Sequence, residues 1–104
     1  MGSREPYHEA AHLLQYPGGD LVLAGLVDLE RQFCSDEALL VSIAGPRLRG
    51  VGIEVPELLG VLLPYEHRLY ESIESRMPCG AHAEYNAMIG RIVSFANTYE
   101  SAKS

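Results

Sequence analysis

Proline and glycine cut this chain into pieces of helical length. Pro6, the run Pro17-Gly18-Gly19, the pair Gly45-Pro46, Pro56 and the run Pro78-Cys79-Gly80 are the cuts. Proline suits the first turn of a helix and breaks its interior, and glycine ends helices and turns the chain. Between the cuts, apolar residues recur at spacings of three and four, the period of an amphipathic helix. The pattern predicts an all-α fold: a compact bundle of four to five helices forming one domain over 1–104, with one irregular Gly/Pro-rich loop at about 45–55.

The first helix is expected over about 6–16, with Tyr7, Ala10, Ala11 and Leu14 on its apolar stripe. The second is expected over 21–33 with Asp20 as its N-cap. Leu21, Val22, Leu23, Leu26, Val27, Leu29 and Phe33 make that helix apolar on more than one side. Ser35 should cap a third helix at 36–44, whose first turn holds Asp36 and Glu37 where the helix dipole favours acids. Val51, Ile53 and Val55 alternate within the expected loop. Pro56 should open a fourth helix at 56–77, kinked or broken at Pro64. The last helix, 82–101, carries an apolar stripe through Tyr85, Ile92, Phe95 and Tyr99. It also carries a second line of small residues, Ala83, Ala87, Gly90 and Ser94, which would let another helix approach closely. That other helix is either the fourth helix or the same helix of a second subunit.

Composition narrows the partners. Fourteen Asp and Glu against eight Lys and Arg leave a net charge of −6, which repels a nucleic-acid backbone. No run approaches the ~20 apolar residues of a membrane span, and MGSREPYHE has no apolar signal region. A cytoplasmic location with Cys34 and Cys79 as reduced thiols is therefore expected. Cys34, among apolar neighbours, is expected in the core, and Cys79 in the linker before the last helix. Arg47 and Arg49 lie in the Gly-rich loop and are candidates to clamp an anionic group or to line an interface. Six Tyr with two Phe and no Trp is a tyrosine-rich set of the kind enriched at protein interfaces. Tyr70 lies off the main apolar stripe of its helix and is expected at the surface.

One string could carry chemistry. His8-Glu9-Ala10-Ala11-His12 fits H-E-x-x-H, in which two histidines one α-helical turn apart hold zinc and the glutamate activates a bound water. The six residues Tyr7–His12 resemble the active-site string of the membrane-anchored AAA proteases, and the resemblance is confined to them. A third ligand would have to come from His67, His82 or Glu66. The extended form of the motif fails, because Gln15 stands where Gly is wanted and Gly18 where the third His is wanted. The motif also lies too near the start of the sequence for a preceding sheet to hold a substrate. Cys79-x-x-His82 could supply two ligands and lacks a doubled partner motif. No G-x-S-x-G elbow occurs, and Gly50-Val51-Gly52 lacks the surroundings of a dinucleotide site.

The sequence therefore points to a non-enzymatic protein-interaction module, a homodimeric regulator, inhibitor or adaptor such as an anti-activator of a transcription regulator. No cofactor is expected. The expected interface residues are Leu23, Leu26, Arg47, Arg49, Tyr70, Ala83, Ala87, Gly90 and Ser94. The alternative is a minimal zinc-dependent hydrolase with His8 and His12 as ligands and Glu9 as base.

Overall fold

The computed structural model of the chain describes residues 8–61 and 64–103, with side chains over 12–61 and 64–102. Tyr7 lies outside the described residues. Among these residues the fold is all-helical: a 3-10 segment at His8–Gln15, then α1 (Gly19–Glu30), α2 (Asp36–Ile43), α3 (Gly45–Gly50), α4 (Tyr65–Arg76) and α5 (Ala81–Lys103). None of the helices is long and apolar enough to cross a membrane.

The turn into α1 rests on Gly18, which caps the helix at φ +79°. A Cβ there would sit 2.6 Å from the Arg91 carbonyl oxygen of α5, so the missing side chain lets two backbones pass. Asp20, expected as the cap, instead falls in the first turn of α1. Val22, Leu26 and Leu29 are fully buried along this helix. Gly25 faces α2, and a Cβ on it would meet the Val41 side chain and lie 2.5 Å from the Glu37 carbonyl oxygen. Helix α1 packs on α2, on the 3-10 segment and on α5. Its many-sided apolarity is thus absorbed within one chain, and burying it does not require a second subunit.

Helix α1 ends earlier than its apolar pattern suggests. Gln32 adopts φ +57° and redirects the chain, leaving Phe33 60% exposed. Cys34, expected in the core, is exposed for the same reason. Left-handed backbone is uncommon outside glycine, and the Gln32 side chain holds it. Its Nε2 donates to the Leu29 carbonyl at 3.1 Å and to the Glu57 carbonyl at 2.7 Å. Its Oε1 accepts from the Leu59 N–H at 2.8 Å. One amide thereby joins the end of α1 to the irregular segment far along the chain. Gln32→Ala is expected to lose about 1–2 kcal/mol in urea unfolding. Gln32→Gly, which loses the same bonds and regains left-handed freedom, should lose about 1 kcal/mol less. Equal losses in the two variants would show that the backbone there is not strained.

Ser35 caps α2 as the sequence indicates. Its hydroxyl accepts from the Ala38 N–H at 3.0 Å and donates to Asp28 Oδ2 at 2.6 Å, tying the cap to α1. Ala38, Leu39, Leu40 and Val41 are all buried. The stretch 45–55 is only partly irregular. Pro46 stands in the first turn of α3, where its missing N–H costs nothing, so it starts a short helix where a stop was expected. From Val51 to Val61 the chain is non-helical. Ile53, Val55 and Leu58 are buried, and the alternation is that of an extended run without a partner strand among the described residues.

The fourth helix is shorter than expected. It begins at Tyr65, with Pro64 in the N-cap position. Proline has no N–H to carry on an earlier helix, and Gly60 turns the chain at φ +76°. Helix α4 buries Leu69 and Ile73, and α5 buries Met88, Ile92, Phe95, Ala96 and Tyr99. Phe95 and Tyr99 stack with centroids 5.5 Å apart, and Tyr16 meets both edge-on. This aromatic trio joins the end of the 3-10 segment to α5.

Candidate functional site

The turn at 77–80 sends α5 back along α4, and the two helices pack together. Such a hairpin aligns residues at similar distances from the turn. Tyr70 of α4 accordingly meets Tyr85 of α5 at a centroid distance of 5.5 Å with planes inclined by 57°. The same ring meets His82 at 6.5 Å and 61°. The three rings wall an open cleft of about 460 Å³, which Pro64, Glu66 and Asn86 also line. Tyr70 and Tyr85 are half-buried, whereas Glu66, His82 and Asn86 are exposed. Burial raises the Tyr85 hydroxyl above the ordinary tyrosine pKa, and the Glu66 carboxylate adds to the effect. A phenol so placed stays neutral at physiological pH. Aromatic faces beside a carboxylate favour a cation. His67, also at the cleft, has its Nε2 3.2 Å from Glu71.

The cleft opens beside the outward face of α5. His82, Asn86, Gly90 and Val93 follow one another at spacings of four, four and three, and all are exposed. Ala83, Ala87 and Ser94 are exposed beside them. A Cβ on Gly90 would meet nothing within 4 Å. The small-residue line therefore faces away from α4 and is open in the single chain. Two charged groups of this helix are drawn sideways: Arg91 pairs with Asp20 at 3.1 Å and Glu100 with Arg47 at 2.9 Å. The face between them is uncharged, and Val93 on it is 44% exposed.

Other expected interface residues are placed differently. Leu26 is 1% exposed in the core, where no partner could touch it. Leu23 is half-buried on α1. Arg47 donates to Asn97 and Glu100 of α5. Arg49 donates to the Val55 carbonyl at 2.9 Å. The two guanidiniums have different partners and form no common anion clamp.

The H-E-x-x-H string falls on the 3-10 segment. In that helix residues i and i+3 align and i and i+4 do not, so the one-turn alignment assumed for an α-helix is absent from the backbone. The side chains of His8 and Glu9 lie outside the described residues. His12 is exposed, and its ring lies 6.3 Å from that of Tyr99. Among the described residues no group of three or more His, Cys, Asp or Glu is arranged to hold a metal.

The tyrosine pair across the α4–α5 hairpin was within reach of the sequence. Tyr70 lies off the buried stripe, and Tyr85 follows the turn at a matching distance. What the sequence lacked was the start of α4, because a helix running from Pro56 would have set the fourth helix differently against the fifth. No known protein family, curated protein or solved structure matches the chain.

Proposed function

We propose that this chain is a non-enzymatic protein-interaction module, a small helical regulator or adaptor that docks through the α4–α5 side and pairs with a second copy along α5. The observation that carries the reading is the outward face of α5. Arg91 and Glu100 are held in lateral ion pairs with Asp20 and Arg47, and Ala83, Ala87, Gly90, Val93 and Ser94 are exposed with no charge among them. Exposed apolar and small residues along a long helix let a second helix come within the 8–10 Å of close packing. An anti-activator that covers another protein's surface is one form of such a module.

Native mass spectrometry of the chain tests the reading, because one spectrum reports both subunit number and bound zinc. A metal-free dimer is expected at micromolar concentration. Ala87→Leu and Gly90→Leu each place a bulky side chain on the face and should shift the sample to monomer. Their circular dichroism should not change, since both positions are exposed. A monomer in every sample would remove the pairing. One zinc per chain, lost in His12→Ala, would turn the reading toward the hydrolase alternative.

A further inference from the structure

We infer that the cleft between α4 and α5 receives an arginine side chain of a partner protein, stacked against Tyr70 and Tyr85 and paired with Glu66. The inference rests on the interaction-module reading and adds the chemistry of the partner. Three observations carry it. The walls are aromatic rings inclined to each other at 57° and 61°, so they offer faces to a third flat group. Glu66 lies at the same cleft with the Asn86 amide, which gives hydrogen-bond acceptors within the aromatic walls. Among the described residues no Lys or Arg lines the cleft, and the whole chain carries −6, so the field there favours a cation.

A guanidinium uses all three features. It is planar and stacks on tyrosine, it is always charged, and its fork matches a carboxylate. A quaternary ammonium would use the rings and leave the acceptors idle. A lysine ammonium would reach Glu66 and stack poorly. His67 does not oppose the ligand, because its Nε2 lies against Glu71 at 3.2 Å.

The test uses the full chain and three small probes: N-acetylarginine methylamide and its lysine and citrulline counterparts. Citrulline keeps the shape and removes the charge. The readout is the aromatic NMR spectrum of the tyrosines with the amides of α4 and α5. Saturable shifts at Tyr70, His82 and Tyr85 are expected with arginine, with a dissociation constant on the order of 1–10 mM. Citrulline should bind about fivefold more weakly or worse, with lysine between them. Glu66→Gln, at an exposed position, and Tyr85→Leu should each abolish saturation. Equal binding of arginine and citrulline would overturn the inference, as would unaltered binding in both variants. Shifts at Tyr70 and Tyr85 on concentrating Gly90→Leu alone, in which pairing along α5 is blocked, would assign the cleft to a second copy and also overturn it. The titration reads a cleft in a single chain, so a failed dimer in mass spectrometry leaves its outcome unaffected, and the two failures are separable.

Discussion

Phe95→Ala is expected to lose about 3–5 kcal/mol of stability, the range for truncating a buried phenylalanine. Phe95 is fully enclosed and lies between two tyrosines. It stacks on Tyr99 at 15° and takes the edge of Tyr16 at 86°, and such contacts contribute beyond the buried area. Its Cβ would also lie 3.3 Å from a side chain placed on Gly18, so the ring sits where α5 crosses the entry to α1. A cavity there cannot collapse easily, since the crossing backbones hold its walls apart. Small domains have only about 5–15 kcal/mol in total, so the variant should unfold at markedly lower urea. Equilibrium unfolding followed at 222 nm gives the midpoint and slope. A loss below about 1.5 kcal/mol, the range for well-tolerated core swaps, would show that the aromatic trio repacks and that α5 is held elsewhere. Phe95→Leu, which keeps much of the volume, should lose distinctly less.

Gly25→Ala should destabilise the protein by about 2–3 kcal/mol, although alanine is the better helix former. The reason is the α1–α2 contact. The new methyl group would press on the Val41 side chain and lie 2.5 Å from the Glu37 carbonyl oxygen. A flexible side chain can yield, but a carbonyl fixed in the first turn of α2 cannot. The helices must move apart, opening space around Leu29 and Val41, which are both fully buried. Gly90→Ala provides the control with the opposite sign. It has open space around it and should stabilise the dilute, monomeric protein by up to about 1 kcal/mol. Thermal unfolding of both variants in one buffer tests the pair. Gly25→Ala equal to or more stable than the parent would mean that α1 and α2 do not approach closely.

Periodicity carried the architecture because each buried helix face is spelled out along the chain. Leu39, Leu40 and Ile43 announced α2, Ser35 announced its cap, and Ile92, Phe95 and Tyr99 announced α5. Where the sequence misled, a single backbone choice decided the outcome. Gln32 enters left-handed backbone and holds it with side-chain bonds to Glu57 and Leu59. Those bonds involve residues far along the chain, so no local pattern reveals them or the exposure of Phe33 and Cys34 that follows. Pro46 and Pro64 illustrate an ambiguity of proline: each can end one helix or begin the next, and the neighbouring residues do not say which. Leu26 reads as an interface residue from the sequence because α1 is apolar on more sides than one small chain is expected to cover. The 3-10 segment, α2 and α5 all pack on α1, and Leu26 is buried there. The candidate site was legible in its parts, Tyr70, Tyr85 and the small-residue line, and illegible as an arrangement until α4 and α5 were set against each other.

The chain measures 45 × 30 × 19 Å along its principal axes, with a radius of gyration of 13.8 Å, against about 13 Å for a rounder domain of this size. The least dimension is about two helix diameters, so the body is a slab with hardly any residue far from a broad face. A slab has a geometric preference in how it assembles. Two copies laid face to face along α5 would double the thin axis and give a nearly isometric particle. Two copies joined at their ends would double the long axis and give a rod. Small-angle scattering distinguishes these outlines by maximum dimension alone, before any contact between subunits is known.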